Sequence, residues 1–493
     1  MRNRAPDSDL AADLAGGLAN DLGGEFVAAV GGGTLEVFEP ATGEVYTRLP
    51  DSDHADVEVA VAAAQRAFPA WSQTPPAERS RLLRRVGALI RENLEQLARA
   101  ESIDTGKPLS LARTLDVPRA AQNFEFFADA ATQWATECHV DGQFLNYTTR
   151  APLGVVGCLS PWNLPLYLFT WKVAPALATG NCVVAKPSEV TPLTAFLLGK
   201  LCRQAGLPPG VLNIVHGLGA KVGAALTGHP GVAALSFTGS TRTGAAIAAR
   251  AAPLFKKTSL EMGGKNPTIV FADADFEAAL AGTVRAGFLN QGEICLCGSR
   301  IFVQRPIYER FKAALVERVR ALKVGDPLDD ATDQGALVSQ AHFDKVTGYL
   351  ALAQDSGARL LCGGRRASLS GRCRDGWFVE PTLIEGTAPG DALNQEEIFG
   401  PVATLMPFDS ESEVLGWANS TRYGLAASLW TQDLSRAHRF SAQLQSGLVW
   451  INCWMVRDLR TPFGGVKESG LGREGGLDAY RFFTEPKNVC LKI

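Results

Sequence analysis

From about residue 154 the chain alternates short apolar runs with longer amphipathic ones, and that rhythm admits few architectures. Residues 154–160, 181–186, 211–215 and 233–237 are short and rich in Val, Leu and Ala, as strands buried on both faces are. Residues 171–178, 192–205 and 245–252, which lie between and after them, read as helices. A second cycle follows Lys257: strand 268–271, helix 276–288, strand 299–303 and helix 306–324, the last with Phe311, Leu315, Val319 and Leu322 on one face. Strands that alternate with helices form an α/β fold with a largely parallel sheet. With 493 residues the chain is too long for one hydrophobic core, which predicts two or three domains.

The first third reads differently. Helices are predicted at 53–68, from Pro76, at 94–103 and through most of 108–137. Residues 1–24 lack apolar periodicity and are expected to be an unordered extension without a secretory signal. Residues 142–150 form a polar, β-prone ribbon, and 488–493 is a strand with nothing nearby to pair with. Residues 151–171 carry no formal charge and are long enough to span a membrane. Pro152, Pro161, Asn163 and Pro165 interrupt them, so they read as a buried strand and a tight loop, with no membrane partner.

A net charge of −3 with no clustered Lys or Arg gives nucleic acid no surface to bind. Ten cysteines without a CxxC pair and six scattered histidines predict neither a disulfide scaffold nor a metal site, and a cytoplasmic setting with reduced thiols is the default. Cys295, just past Gly292 in the segment 288–300, by itself reads more readily as a buried hydrophobe than as a nucleophile. The GxGxxG dinucleotide fingerprint is absent. Ser240 lies between a predicted strand and helix, where it either caps the helix or helps bind a phosphate. Lys186 and Glu189 end a strand, either in a solvated turn or against ribose and phosphate oxygens. Glu261, close to Gly263 and Gly264, is a capping carboxylate or a general base.

Taken together, seven motifs resemble the aldehyde dehydrogenase superfamily over about residues 25–493. They are Ser160-Pro-Trp-Asn163, Ala185-Lys-Pro-Ser-Glu189, Phe237-Thr-Gly-Ser240, the run from Leu260 to Pro267, Gly292-Glu-Ile-Cys295, Glu397-Ile-Phe-Gly-Pro401 and Pro462-Phe-Gly-Gly465. The resemblance implies a Rossmann-type cofactor domain (25–133 and 151–260), an α/β catalytic domain (261–465) and a small β oligomerisation element with the C-terminal tail (134–150 and 466–493), the element itself formed by the ribbon and the C-terminal strand. It also implies a homodimer or homotetramer. Cys295 would be the nucleophile, Asn163 and the Cys295 N–H the oxyanion donors, and Glu261 the base. Lys186, Glu189 and Glu397 would hold the ribose groups of NAD, Trp162 and Ser240 its phosphates, with Phe399 beside the nicotinamide. Glu293 stands where the family more often has Gln and is expected to point away from the thiol; Cys297 is expected to pack.

Residues 111–119, 452–460 and 463–476 further resemble the muconic semialdehyde dehydrogenases, which oxidise 2-aminomuconic or 2-hydroxymuconic 6-semialdehyde. Such substrates carry a carboxylate, and Arg113 and Arg457 are the expected anchors. The alternatives are another semialdehyde, a betaine-type aldehyde, or a non-catalytic relative. A thiol hydrolase would need a histidine, and the nearest in sequence are His229 and His342.

Overall fold

A computed structural model describes Leu14 and residues 16–493. An eight-stranded sheet has at its middle five parallel strands in the order Leu212–Ile214, Cys182–Lys186, Val155–Leu159, Ala234–Thr238, Lys257–Glu261. The first four are buried along their whole length, which is why their sequences show apolar runs and no alternation. The chain starts at Val155–Leu159, builds outward to one side, then returns to build the other side. That reversal opens a crevice at the carboxyl ends of the strands, the place where such sheets bind ligands. The loops 160–163 and 239–240 emerge there.

The uncharged stretch after 151 is a buried strand, a turn and a helix, Pro165–Ala178, which is buried nearly throughout. The helix starts earlier than the expected 171 because proline, having no N–H to donate, fits the first turn. Among the described residues no helix is long and apolar enough to cross a membrane.

The sheet edge corrects the expectation of an unordered segment up to residue 24. Asn20–Leu22 is buried and pairs with Glu25–Val27, and through Asp21 with Ile214. Gly23 and Gly24, both at positive φ, make the two-residue turn. The Asn20 side chain accepts from His216 N at 2.8 Å and donates to Ser52 Oγ at 2.8 Å. The expectation for residues 1–13 and 15 lies outside the described residues.

A second, seven-stranded sheet runs Arg359–Cys362, Thr382–Glu385, Val402–Phe408, Arg300–Gln304, Pro267–Val270, Ala426–Trp430, Leu448–Ile451, parallel except for its first strand. Its first strand in the chain, Pro267–Val270, follows Lys257–Glu261 across the short bridge 262–266. The carboxyl edge of one sheet therefore meets the amino edge of the other.

Thr484–Lys492 pairs over its full length with Phe144–Pro152, which pairs in turn with Cys138–Asp141. This small sheet exposes Val140, Phe144, Tyr147 and Leu491. The start of the C-terminal tail pairs outside this small sheet. Val466–Lys467 pairs with Tyr423–Gly424, and Gly470–Leu471 adds antiparallel to Lys257–Glu261. Glycine allows this return: a Cβ on Gly470 would lie 2.9 Å from Gly465 N.

Candidate active site

Cys295 lies in the loop between helix Phe276–Phe288 and strand Arg300–Gln304. Three successive residues early in this loop, Asn290, Gln291 and Gly292, have positive φ (53°, 53° and 73°). For Asn and Gln this conformation costs roughly 1–2 kcal/mol per residue. Their side chains offset part of it. Asn290 donates to Asn163 O and Glu293 O at 3.2 Å each, and Gln291 to Ala336 O at 3.2 Å. At Gly292 any Cβ would collide with the Gly400 carbonyl.

Asn163 is buried just beyond Val155–Leu159. Its amide donates one hydrogen to Glu293 O at 2.8 Å, which leaves the second for a ligand. Its backbone carbonyl accepts from Lys107 Nζ at 3.0 Å, and that ammonium is itself held by Asp116 at 2.9 Å. Asn163 and Cys295 line one cavity of about 230 Å³ together with Trp162, Ser240, Glu397 and Phe399. Six residues singled out in the sequence thus meet in one place.

The neighbouring crevice suits a dinucleotide. Ser240 caps helix Thr241–Ala251, accepting from Thr243 N at 3.2 Å, so cap and cavity wall coincide. A Cβ on Gly239 would strike the Phe237 ring. Lys186 donates to Glu189 at 2.8 Å and to Pro187 O at 2.7 Å. Burial pushes the Glu189 carboxyl up, but the Lys186 charge and two backbone amides outweigh it and hold it below the usual range. Glu397 accepts from Gly264 N at 2.8 Å, and a Cβ on Gly263 would collide with its carboxylate. An ammonium, two carboxylates and a helix N-terminus at the carboxyl edge of the sheet fit ribose hydroxyls and phosphate.

Glu261 ends its strand fully buried, and neither of its oxygens has a hydrogen-bond partner among the described residues. Burial, and then the Glu474 carboxylate, push it well above the usual range; Lys172, Arg473 and Arg457 oppose them. Glu474 is itself tied to Lys172 Nζ at 2.7 Å. The Cys295 thiol is also pushed up, chiefly by burial and then by Glu397, Glu261 and Cys297, with Arg457 opposing. Cys297 is buried, its thiol pushed up to about 12 by burial.

The two arginines part company. The Arg457 guanidinium lies 3.7 Å from the Phe463 ring centroid, and its Nε has no acceptor among the described residues. Neither arginine lines the cavity of about 230 Å³ itself, but Arg113 is spent elsewhere: it donates to Glu95 at 3.0 Å and Asp330 at 3.0 Å. Sequence reasoning passed over Arg119. Its guanidinium lies 5.6 Å from the Tyr167 ring, and Tyr167 shares an apolar cluster with Cys295 and Phe463. His342 was also passed over as a wall of the cavity, because it comes from a helix distant in sequence. Its Nε2 sits 2.6 Å from Phe399 O, and burial lowers it to about 4, so it is a neutral prop. Glu293 accepts from Val338 N at 3.2 Å and lies 3.6 Å from His342. Burial pushes it well above the usual range.

The profile of the Aldehyde dehydrogenase family matches residues 26–489. The chain is 52% identical over 479 residues to 2-aminomuconic semialdehyde dehydrogenase of Danio rerio, covering 96% of this chain and 98% of that protein. It is 47% identical over 479 residues to 2-hydroxymuconic semialdehyde dehydrogenase of Pseudomonas sp. (strain CF600), covering 96% and 99%. Among solved structures, the NAD+ complex of aldehyde dehydrogenase from Bacillus cereus superposes with a TM-score of 0.96 at 39% identity, covering 100% of this chain and 99% of that one.

The direction of Glu293 is testable. Glu293→Gln should leave the rate of Cys295 alkylation by iodoacetamide within about twofold of the parent, because no charge facing the sulfur is removed. A rise of about tenfold or more would place that carboxyl against the thiol.

Proposed function

Because the chain belongs to the aldehyde dehydrogenase family, we propose that it oxidises a carboxylate-bearing semialdehyde, 2-aminomuconic or 2-hydroxymuconic 6-semialdehyde, to the acid with NAD. The observation that carries the substrate class is Arg457, an arginine with an unspent Nε hydrogen whose charge acts on both Cys295 and Glu261. A guanidinium binds a carboxylate through paired hydrogen bonds, and Arg119 brings a second one to the same aromatic cluster. The names of the relatives point the same way. A cationic betaine aldehyde would be repelled by the same charge.

The residues divide the chemistry as follows. The Cys295 thiol gives up its proton to solvent, its sulfur bonds to the aldehyde carbon as the carbonyl π bond breaks, and the carbonyl oxygen takes up the negative charge. The free hydrogen of the Asn163 amide and the Cys295 N–H hold that oxygen, and in a dry site such donors act strongly. Lys186, Glu189 and Glu397 would hold the ribose groups of NAD, Trp162 and Ser240 its phosphates, and Phe399 would stand on the nicotinamide side. The negative charge of Glu189 disfavours a 2′-phosphate. Bound NAD would supply the hydride acceptor, and loss of hydride from the aldehyde carbon would leave a thioester on Cys295. Glu261 takes a proton from water, whose oxygen attacks the acyl carbon; the C–S bond breaks, the electron pair leaves with the sulfur, and the thiolate is freed. The exposed apolar face of the small sheet suits burial against a second copy, in a homodimer or homotetramer.

A thiol hydrolase without redox chemistry is disfavoured, since His342, the histidine in the cavity wall, has its Nε2 against the Phe399 carbonyl at 2.6 Å.

Two outcomes check this reading. Arg457→Ala should raise KM for an acidic semialdehyde by about 10- to 100-fold, the worth of one charge-assisted contact, and for a neutral aldehyde by less than about threefold. Equal losses on both would remove the anchor. Glu261 works as a carboxylate and its pKa is raised, so hydrolysis should fall as pH drops through a range higher than an ordinary carboxyl titrates in. Glu261→Gln should slow hydrolysis and flatten that limb of the pH profile; a profile unchanged in shape and height would remove the base.

A further inference from the structure

We propose that Asn266 is the positioning residue of the nucleophile, a reading that rests on Cys295 being that nucleophile. Asn266 is 3% exposed and uses every part of its amide. Nδ2 donates to Cys295 O at 2.7 Å and to Cys297 O at 2.9 Å, and Oδ1 accepts from Ala426 N at 3.0 Å. The N–H at one end and two carbonyls at the other fix the orientation of the amide. The side chain thus bolts two carbonyls of the Cys295 loop to the first residue of strand Ala426–Trp430.

The loop needs such a bolt. It contains three residues of positive φ, and it is pinned on its other flank by Asn163 at Glu293 O. With the carbonyls of 293, 295 and 297 all engaged, the Cys295 peptide is held in one orientation, and with it the direction of its thiol and N–H. The bolt also reaches the cofactor side of the cavity. Gly264, two residues before Asn266, donates to Glu397, and a Cβ there would lie 2.8 Å from Cys295 O. One short segment therefore touches a proposed cofactor carboxylate through its N–H and the nucleophile loop through its side chain. Asn266 touches no reacting atom; it acts through the aim of Cys295.

Asn266→Asp keeps the shape and the acceptor for Ala426 N–H but turns lone pairs on two carbonyl oxygens; Asn266→Ser shortens the same contact and is the gentler variant. The reads are the pre-steady-state NADH burst, the rate of Cys295 alkylation by iodoacetamide without cofactor, and the Kd for NAD. Expected are falls of about tenfold or more in burst and alkylation rates for Asn266→Asp, smaller falls for Asn266→Ser, and a Kd for NAD within about threefold. Should the aspartate variant fail to fold, the serine variant carries the test alone, with falls of at least about threefold expected. Burst and alkylation rates within about twofold of the parent in a soluble variant overturn the proposal, as does a loss confined to NAD affinity. Cys295→Ala, run beside them, separates the two ideas. NADH production without that thiol removes the nucleophile itself, whereas an inactive Cys295→Ala with an unaltered Asn266→Ser removes the positioning residue alone.

Discussion

The chain passes from one parallel sheet to the other through residues 262–266, and this short bridge sets the geometry of everything around it. Loops at the carboxyl ends of the first sheet can bind a dinucleotide. The second sheet begins at once with Pro267–Val270, beside Arg300–Gln304, whose preceding loop carries Cys295. A longer bridge would let crevice and thiol drift apart. Gly263 and Gly264 make so close an approach sterically allowed, since a Cβ on either would meet Glu397, Asn266 or the Cys295 carbonyl.

Dryness is the second constraint. The burial that pushes Cys295 and Glu261 toward their neutral forms also strengthens the Asn163 amide as a donor to developing charge. The same environment makes an arginine consequential: Arg457 is the group that opposes the shift at both residues. Lys107 with Asp116 and Lys172 with Glu474 are buried side-chain pairs that flank Asn163 and Glu261.

Much of this was legible in the sequence, and the exceptions have physical causes. The strand–helix alternation gave the parallel sheets because strands buried on both faces must be apolar throughout. Asn163, Ser240, Cys295 and Glu397 stand in local motifs, so their meeting was foreseen. The hairpin at 20–27 was missed because three-residue strands carry no periodicity; its signal was the Gly23–Gly24 turn. Arg113 was named and Arg119 passed over because spacing along a helix does not reveal which guanidinium finds carboxylates, and Glu95 and Asp330 take Arg113. His342 and Asn266 act through contacts distant in sequence or through backbone carbonyls, which no motif displays.

The account stands on a covalent bond to one sulfur. Acid quenching during the first turnover with NAD and an acidic semialdehyde, followed by peptide mass mapping, reads that bond directly. The predicted result is an acyl adduct on the peptide containing Cys295, on that residue, appearing with the first NADH. NADH formed with no adduct on Cys295, or with the adduct on Cys297 or Cys453, would contradict it.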